Sequence, residues 1–246
     1  MLALIAGCIL CIVESKYRFA LSNYKVEAQS QVLERRLWEV FPKRCITFWP
    51  YFLSDKEAMR DFLERDMPVK VETKMSGLGN FTTIINWLQA WVKVDWRGKI
   101  WCISRDGFMW LSEPGRPNED EAGRLVWKVP EQGNLPDDEN VNAPMSGVFR
   151  SPLSTEVIAS FLDDFRQYRW FDLVNELVWE RREGMNLFRL QLKNGAQRIE
   201  LLVQPDKYPG QRIGASIQEV FQRAVQEGGN RVIDATYENK IFLRKL

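Results

Sequence analysis

Four cysteines, at positions 8, 11, 45 and 102, are the side chains of this sequence most able to do chemistry, and histidine does not occur. The missing histidine excludes Ser-His-Asp and Cys-His nucleophile systems, iron sites that pair histidine with carboxylate, and nearly every catalytic zinc site. Cys8 and Cys11 form a C-x-x-C pair, but they lie within an apolar run, residues 2–13, with no strand before them. We interpret them as two small hydrophobic residues. Four cysteines with only one close pair do not indicate a zinc cage, and the sequence leaves open whether Cys45 and Cys102 are bridged.

An acidic run, residues 119–121, is the other candidate for chemistry, as a metal site or an acid/base pair. It lies in a polar loop, residues 113–124, that is rich in proline and glycine. Adjacent carboxylates in such a loop are usually solvated, and no two acids stand at a spacing that indicates a glycosidase. We therefore expect no catalytic, cofactor-binding or metal-binding residue, and a protein that is not an enzyme.

The net charge of the chain argues against nucleic acids as partners. The chain has 34 Lys and Arg against 33 Asp and Glu, a net charge of +1, whereas duplex binding needs a surplus of cations. We expect no nucleic acid partner. An apolar fraction of 45% and a charged fraction of 27% over 246 residues are typical of one large globular domain or two small ones.

The N-terminus indicates a membrane anchor at residues 1–18. Its apolar run, residues 2–13, would form about 18 Å of helix, less than the roughly 30 Å of a hydrocarbon core. Lys16 and Arg18 follow the run, whereas a secretory signal carries its positive charges before it. The pattern favours a short or truncated transmembrane helix, followed by one region outside the cytoplasm.

Residues 19–89 predict a compact β-α-α-β-β domain. The extended segment 19–28 leads to a helix at 29–41, and a capping box that begins at Ser54 predicts a second helix to about residue 65. We expect Val32, Leu33, Leu37, Val40 and Phe41 on the inner face of the first helix, and Ala58, Phe62 and Leu63 on that of the second. Alternation over 69–75 and a glycine-rich turn predict two strands, the second at 81–87.

Residues 90–246 predict a strand-rich domain with two helices, so the fold class is α+β. Alternating segments and tight-turn signals, among them Asp106-Gly107 and Asn194-Gly195, separate the strands. Helices are predicted at about 153–167, with Ser154 as cap, and at about 213–227. The predicted strands are 90–96, 100–103, 108–111, 173–182, 187–193, 197–203, 231–236 and 240–245.

The local sequence resembles the bacterial cell-division family FtsQ, called DivIB in Gram-positive species, in three ordered stretches. These are residues 69–71 (VKV) continuing through 83–91 (TIINWLQAW), residues 101–110 (WCISRDGFMW) and residues 231–237 (RVIDATY). The chain departs from the family where Asn80-Phe81 replaces Trp-Pro, where no proline occurs in 86–90, and where Thr236 replaces an arginine. The chain is identified as a divergent member of this family.

The resemblance implies a non-catalytic, single-pass scaffold of the division machinery in the cytoplasmic (inner) membrane. Residues 19–89 would be the POTRA domain and residues 90–246 the β domain, both outside the cytoplasm. The implied partners are the FtsB/DivIC and FtsL-like coiled coils, with septal cell-wall synthases as further partners. Through them the protein would help to control septal peptidoglycan synthesis.

The last predicted strand is the candidate partner site, because a terminal strand is expected at a sheet edge with unpaired amides and carbonyls. The residues assigned to this site are Tyr237, Asn239, Lys240, Ile241, Phe242 and Leu243. A simpler interpretation is an edge that lysines protect against self-association. An alternative function is a carbohydrate (cell-wall)-binding module, since ten tryptophans could stack on sugars. For Trp87, Trp91, Trp96, Trp101 and Trp110, which fall on predicted strands, core packing is the favoured role.

Overall fold

A computed structural model describes residues 20–116, 118–119, 125–130, 147–182, 184–206, 210–237 and 240–246. The chain is a mixed α+β protein and divides into two compact units, Met1–Leu88 (unit 1) and Gln89–Leu246 (unit 2). The predicted anchor, residues 1–18, lies outside the described residues. Within the described ranges, no helix is both long and apolar enough to cross a membrane.

The elements described in unit 1 are β1 (Asn23–Ala28), α1 (Gln31–Val40), α2 (Lys43–Thr47), α3 (Trp49–Asp66), β2 (Val69–Gly77) and β3 (Asn80–Trp87). Three helices lie between β1 and β2 in the chain, so the predicted β-α-α-β-β order gains one short helix. The three strands form a sheet with the order β1-β3-β2. Strand β1 is parallel to β3, and β2 and β3 form an antiparallel hairpin that turns at Leu78-Gly79.

Helix α1 follows the predicted pattern with one exception. The Ser30 hydroxyl accepts a hydrogen bond from the Leu33 amide at 3.4 Å and so caps the helix. Leu33 and Leu37, four residues apart, are fully buried and define the inner face. Val32 was expected on that face but is 64% exposed, because it lies about 100° around the helix from Leu33.

The predicted capping box at Ser54 is wrong. Helix α3 begins five residues earlier, at Trp49, and Pro50 occupies its first turn, where a proline costs no hydrogen bond. The Ser54 hydroxyl instead donates to the Tyr51 carbonyl at 2.9 Å, inside the helix. The start of the helix was missed because a Ser-x-x-Glu pattern also fits an ordinary exposed helical turn.

The earlier start also changes the buried face of α3. Phe52, Met59 and Leu63 are buried, as a stripe of spacing seven and four. Phe62, expected inside, is 50% exposed, and Ala58 is exposed as well. In β2 the expected alternation holds at its start, where Val69 and Val71 are buried, and fails at Met75, which is 48% exposed. Phe81, opposite Met75 on the central strand, is 2% exposed and contacts the ring of Phe52, so the helices cover the central strand there and leave the edge strand β2 open.

The elements described in unit 2 are β4 (Val92–Trp96), β5 (Lys99–Ile103), β6 (Phe108–Leu111), β7 (Val126–Val129), β8 (Val148–Arg150), α4 (Thr155–Phe165), a 3-10 helix (Arg169–Leu173), β9 (Val174–Arg182), β10 (Met185–Asn194), β11 (Gln197–Val203), α5 (Gly210–Glu227), β12 (Arg231–Tyr237) and β13 (Lys240–Lys245). The strands among them form one mixed sheet with the order β13-β12-β11-β10-β9-β7-β4-β5-β6-β8. Strands β7 and β8 were not predicted, because their partners in the sheet, β4 and β9 for β7 and β6 for β8, lie more than 30 residues away in the chain.

The two faces of this sheet differ in chemistry. One face packs against α4 and α5 in a single apolar core, in which Trp127 meets the rings of Phe161 and Phe188 edge-on. On the opposite face Arg189 lies 3.4 Å from Glu180 on β9 and 3.5 Å from Glu200 on β11. This contrast identifies which side chains of the later strands point to the core and which to solvent.

Candidate partner-binding site

Strand β13 forms one edge of the ten-stranded sheet. It pairs antiparallel with β12, and β12 in turn pairs with β11, so β13 is the last strand in the order. Within the part of the chain that the structure describes, no strand pairs with its other side. Alternate residues of an edge strand direct their amides and carbonyls away from the sheet, and these groups can bond a further strand.

The side chains of β13 alternate between the two faces of the sheet. Ile241 and Leu243 pack against the core beneath α5, which contacts this strand. Phe242 lies opposite Asp234 of β12 and is 40% exposed, and Arg244 lies opposite Val232. The edge is thus attached to the core by two aliphatic residues and presents Phe242 and Arg244 on the solvent face.

An aromatic pair occupies the end of the β12–β13 hairpin. The rings of Tyr237 and Phe242 meet edge-on, with centroids 5.1 Å apart and an interplanar angle of 82°. Tyr237 is 50% exposed and Phe242 40% exposed, so both residues are accessible from solvent. Such pairs are rigid apolar surfaces with one polar group, the Tyr237 hydroxyl, and they suit contact with another protein chain.

A bulge in β12 sets the position of Tyr237. Between the pairs Asp234–Phe242 and Tyr237–Lys240 the register shifts, so β12 has one residue more than β13. The carboxylate of Asp234 accepts bonds from the Thr236 amide at 3.2 Å and the Thr236 hydroxyl at 2.6 Å. Because the bulge removes that amide from the ladder, Asp234 satisfies a donor that would otherwise lack a partner.

Arg244 connects the bulge to the aromatic pair. Its guanidinium donates to the second oxygen of Asp234 at 3.0 Å, and its central carbon lies 5.7 Å from the Phe242 ring centroid. The side chain of Asp234 is 10% exposed, whereas that of Arg244 is 55% exposed. The cation therefore holds a buried carboxylate on one side and the exposed ring on the other.

Most of the residues assigned to this site by sequence lie in this hairpin, but not all face outward. Tyr237, Lys240 and Phe242 are exposed, while Ile241 and Leu243 point to the core. Asn239 lies outside the described residues. The sequence interpretation missed the three supporting side chains Asp234, Thr236 and Arg244. In the sequence, Asp234 stands two residues before Thr236 and ten residues before Arg244. This spacing indicates a supporting role only once the bulge in β12 is known.

Glu119 corrects the interpretation of the acidic run. This residue is 2% exposed, whereas the sequence predicted solvated carboxylates; Asp120 and Glu121 lie outside the described residues. The Glu119 carboxylate accepts bonds from Trp110 Nε1 at 3.2 Å, from the Ser112 hydroxyl at 2.6 Å and from the Glu113 amide at 3.0 Å. Every one of these donors belongs to β6 or to the loop that follows it.

The Glu119 contacts therefore hold the loop after β6 in place. The side chain of Arg116, 18% exposed, adds a charge partner, with a nitrogen 3.7 Å from a Glu119 oxygen. Trp110, beneath this loop, is 1% exposed. Across the described ranges, no three His, Cys, Asp or Glu side chains are close enough together to hold a metal ion.

The two described cysteines are free and buried. Burial raises the pKa of the Cys45 thiol to about 11, and the nearby Asp55 carboxylate adds to the shift. Burial also raises the pKa of the Cys102 thiol to about 12, with the Glu119 charge as the second cause. Thiols of such pKa are almost entirely protonated at neutral pH and make poor nucleophiles. Cys8 and Cys11 lie outside the described residues.

The strand tryptophans are mainly core residues. Trp96, Trp101 and Trp110 are 2%, 3% and 1% exposed, and the indole of Trp101 donates to the Trp96 carbonyl at 3.1 Å. Trp87 and Trp91 are half-buried. The faces of the three buried rings are not accessible to a sugar, so they do not provide the stacking platform that the alternative function needs.

Comparison of the chain with known protein families and with curated proteins finds no match.

Proposed function

We propose that this protein is a non-catalytic, single-pass scaffold of the bacterial division machinery, anchored in the cytoplasmic membrane with both units outside the cytoplasm. In this proposal unit 1 acts as a POTRA domain and unit 2 as the FtsQ/DivIB-type β domain. The partners are FtsB/DivIC and FtsL-like coiled-coil proteins, with septal cell-wall synthases as further partners. By binding them the protein helps to control septal peptidoglycan synthesis.

The element order supports the assignment of the two units. Unit 1 has the β-α-α-β-β order that the resemblance implies, with the short helix α2 added. Unit 2 is dominated by strands and ends in a strand at the sheet edge. The three stretches that resemble the family fall on the β2–β3 hairpin and the chain that follows it, on the β5–β6 hairpin and on β12.

The exposed edge of β13 is the single observation that carries the proposal. An extended partner segment could add to β13 as an antiparallel or parallel strand, and the backbone bonds would provide affinity. The Tyr237–Phe242 pair would provide a specific apolar contact beside that strand. Lys240 and Lys245 are exposed at the two ends of β13 and favour an acidic partner segment.

A proline substitution tests the edge directly. We expect Phe242→Pro to leave the melting temperature within a few degrees, because an edge strand tolerates proline, and to abolish capture of the coiled-coil partner. Leu201→Pro is the matched control, since Leu201 is buried in β11 between two neighbouring strands and the substitution should unfold unit 2. Unfolding by Phe242→Pro, or normal partner capture by a folded Phe242→Pro, would contradict the proposed site.

The membrane topology has its own test. An alkaline phosphatase fused after Leu246 should be active, and the protein should stay in the membrane fraction after a high-salt wash. An inactive fusion, or release of the protein into the soluble fraction, would contradict the anchored scaffold.

The carbohydrate alternative is tested by titration. Addition of cell-wall glycan fragments at millimolar concentration should leave the tryptophan fluorescence unchanged if the protein is a scaffold. A saturable change would instead support a sugar-binding surface.

A further inference from the structure

Unit 1 has two ends, and the first described residues lie at one of them. The Leu21 amide donates to the Ile46 carbonyl in α2 at 3.2 Å, and the Ser22 amide donates to the Gly79 carbonyl at 3.1 Å. Helix α3 begins at the same end, where Trp49 lies near Gly79. We call this the N-terminal end of unit 1. Strand β3 runs away from it, so the chain leaves for unit 2 at the opposite end.

Apolar side chains are exposed at the N-terminal end of unit 1. Leu78 is 74% exposed, Ile46 is 51% exposed and Tyr51 is 46% exposed. Leu78 precedes Gly79 in the two-residue turn between β2 and β3, a position where asparagine or aspartate is the common choice. The corresponding turn between β4 and β5 has Arg97 before its glycine. A leucine at a hairpin tip gains nothing from the fold of unit 1.

Basic residues accompany these side chains. Lys43 and Arg44 begin the short helix that carries Ile46, and both are exposed. The Asp55 carboxylate accepts a hydrogen bond from Arg44 at 2.8 Å and so offsets its charge. Lys43 forms no ion pair with a carboxylate of α2 or α3, so its charge is not offset in this way. Apolar tips with a flanking cation are the composition of a surface that enters the headgroup region of a bilayer.

The sequence before Ala20 bears on how far the N-terminal end of unit 1 can lie from a membrane. The apolar run, residues 2–13, ends seven residues before Ala20, and seven residues span at most about 25 Å. If that run lies in a membrane, the N-terminal end of unit 1 lies within that distance of it. We infer that this end docks on the lipid surface, with Leu78, Ile46 and Tyr51 inserted into the interface. The inference rests on the anchor of the proposed function and adds an orientation to it.

Unit 1 offers matched controls at its opposite end. Val32 lies in the first turn of α1 and is 64% exposed, and Phe62 lies near the end of α3 and is 50% exposed. Along α3, Phe62 is 11 residues beyond Tyr51, which corresponds to about 17 Å of helix. These residues are as apolar and as exposed as the proposed contacts, so only their position distinguishes them.

Spin labelling of the full chain tests the inference. Cys8 and Cys11 are replaced by alanine, while the buried Cys45 and Cys102 are kept, and a nitroxide is attached at Leu78→Cys or Ile46→Cys. The controls carry the label at Val32→Cys or Phe62→Cys. The chain is reconstituted in vesicles of phosphatidylglycerol and phosphatidylcholine. We expect oxygen, which partitions into lipid, to relax the labels at positions 78 and 46 strongly. A water-soluble nickel chelate should relax these two labels at least fivefold less than it relaxes the controls.

Flotation of the same vesicles separates the two hypotheses. Loss of the chain from the vesicles would contradict the anchor and, with it, the docking. Flotation with labels at 78 and 46 that are as accessible to the nickel chelate as the controls would overturn the docking alone. Labels that are shielded from both reagents and coupled to each other between copies would show a second chain on this surface, which also overturns the inference.

Discussion

The bulge that positions Tyr237 depends on one carboxylate, and its removal gives a sharp prediction. In Asp234→Ala the Thr236 amide and hydroxyl lose their acceptor, and Arg244 loses its ion pair. Asp234→Asn keeps an oxygen that can accept from Thr236 and removes only the charge. The two variants thus separate the bulge contacts from the ion pair.

The expected magnitude follows from these contacts. A half-buried amide and a hydroxyl without partners cost about 1 kcal/mol each or slightly more. The ion pair adds less than about 1 kcal/mol, because the Arg244 side chain is 55% exposed. We therefore expect Asp234→Ala to lower the free energy of unfolding of unit 2 by about 2–3 kcal/mol, or its melting temperature by about 5–10 °C. Asp234→Asn should cost about 1 kcal/mol or less.

Urea unfolding followed by tryptophan fluorescence measures both variants. The slope of the free energy with urea should stay unchanged, since neither substitution alters the area that unfolding exposes. Equal losses for the two variants would show that the ion pair, and not the bulge, supplies the stability. A neutral Asp234→Ala would refute the role given to this carboxylate.

Three further predictions concern buried groups. Glu119→Ala should lower the free energy of unfolding, measured in urea, by about 3 kcal/mol, because three donors lose their acceptor. Glu119→Gln should lower it clearly less, and equal losses for the two variants would contradict the role given to these hydrogen bonds. In a chain whose two N-terminal cysteines are alanine, Cys45 and Cys102 should react with a disulfide reagent at pH 8 only on unfolding, and fast labelling of the folded protein would refute their burial. Burial raises the pKa of Tyr24 to about 12, as it raises those of the two thiols, so the protonated forms favour folding. Stability should be complete below pH 8 and fall between about pH 9 and 12, by up to about 1.4 kcal/mol per pH unit for each group; a melting temperature that stays constant to pH 11 would contradict this.

Local patterns predicted the elements with a strong period. Helices α1, α4 and α5 show buried residues at helical spacing, and the Ser154 cap of α4 is confirmed by its bond from the Val157 amide at 3.3 Å. The strands of the β4–β5 and β10–β11 hairpins also lie where alternation and turn residues placed them. These features depend on contacts close in sequence, which a sequence displays directly.

The misses have a common cause in contacts distant from the local pattern. Strand β7 is parallel to β4 and β9, so its place in the sheet depends on pairings more than 30 residues away. Glu119 is buried because Trp110 and Ser112 provide donors for it, and nothing within the acidic run indicates those donors. The β12 bulge likewise becomes visible only when the register with β13 is known.

Photocrosslinking at position 242 tests the central claim most directly. A benzophenone amino acid in place of Phe242, in cells that carry the full-length chain, should crosslink to a coiled-coil division protein, and mass spectrometry should place the crosslink in an extended segment. The same amino acid at Gln191, which is exposed on the central strand β10 of the same sheet, should give no such product. A crosslink of equal yield at Gln191, or none at Phe242 with a folded protein, would contradict partner binding at the β13 edge.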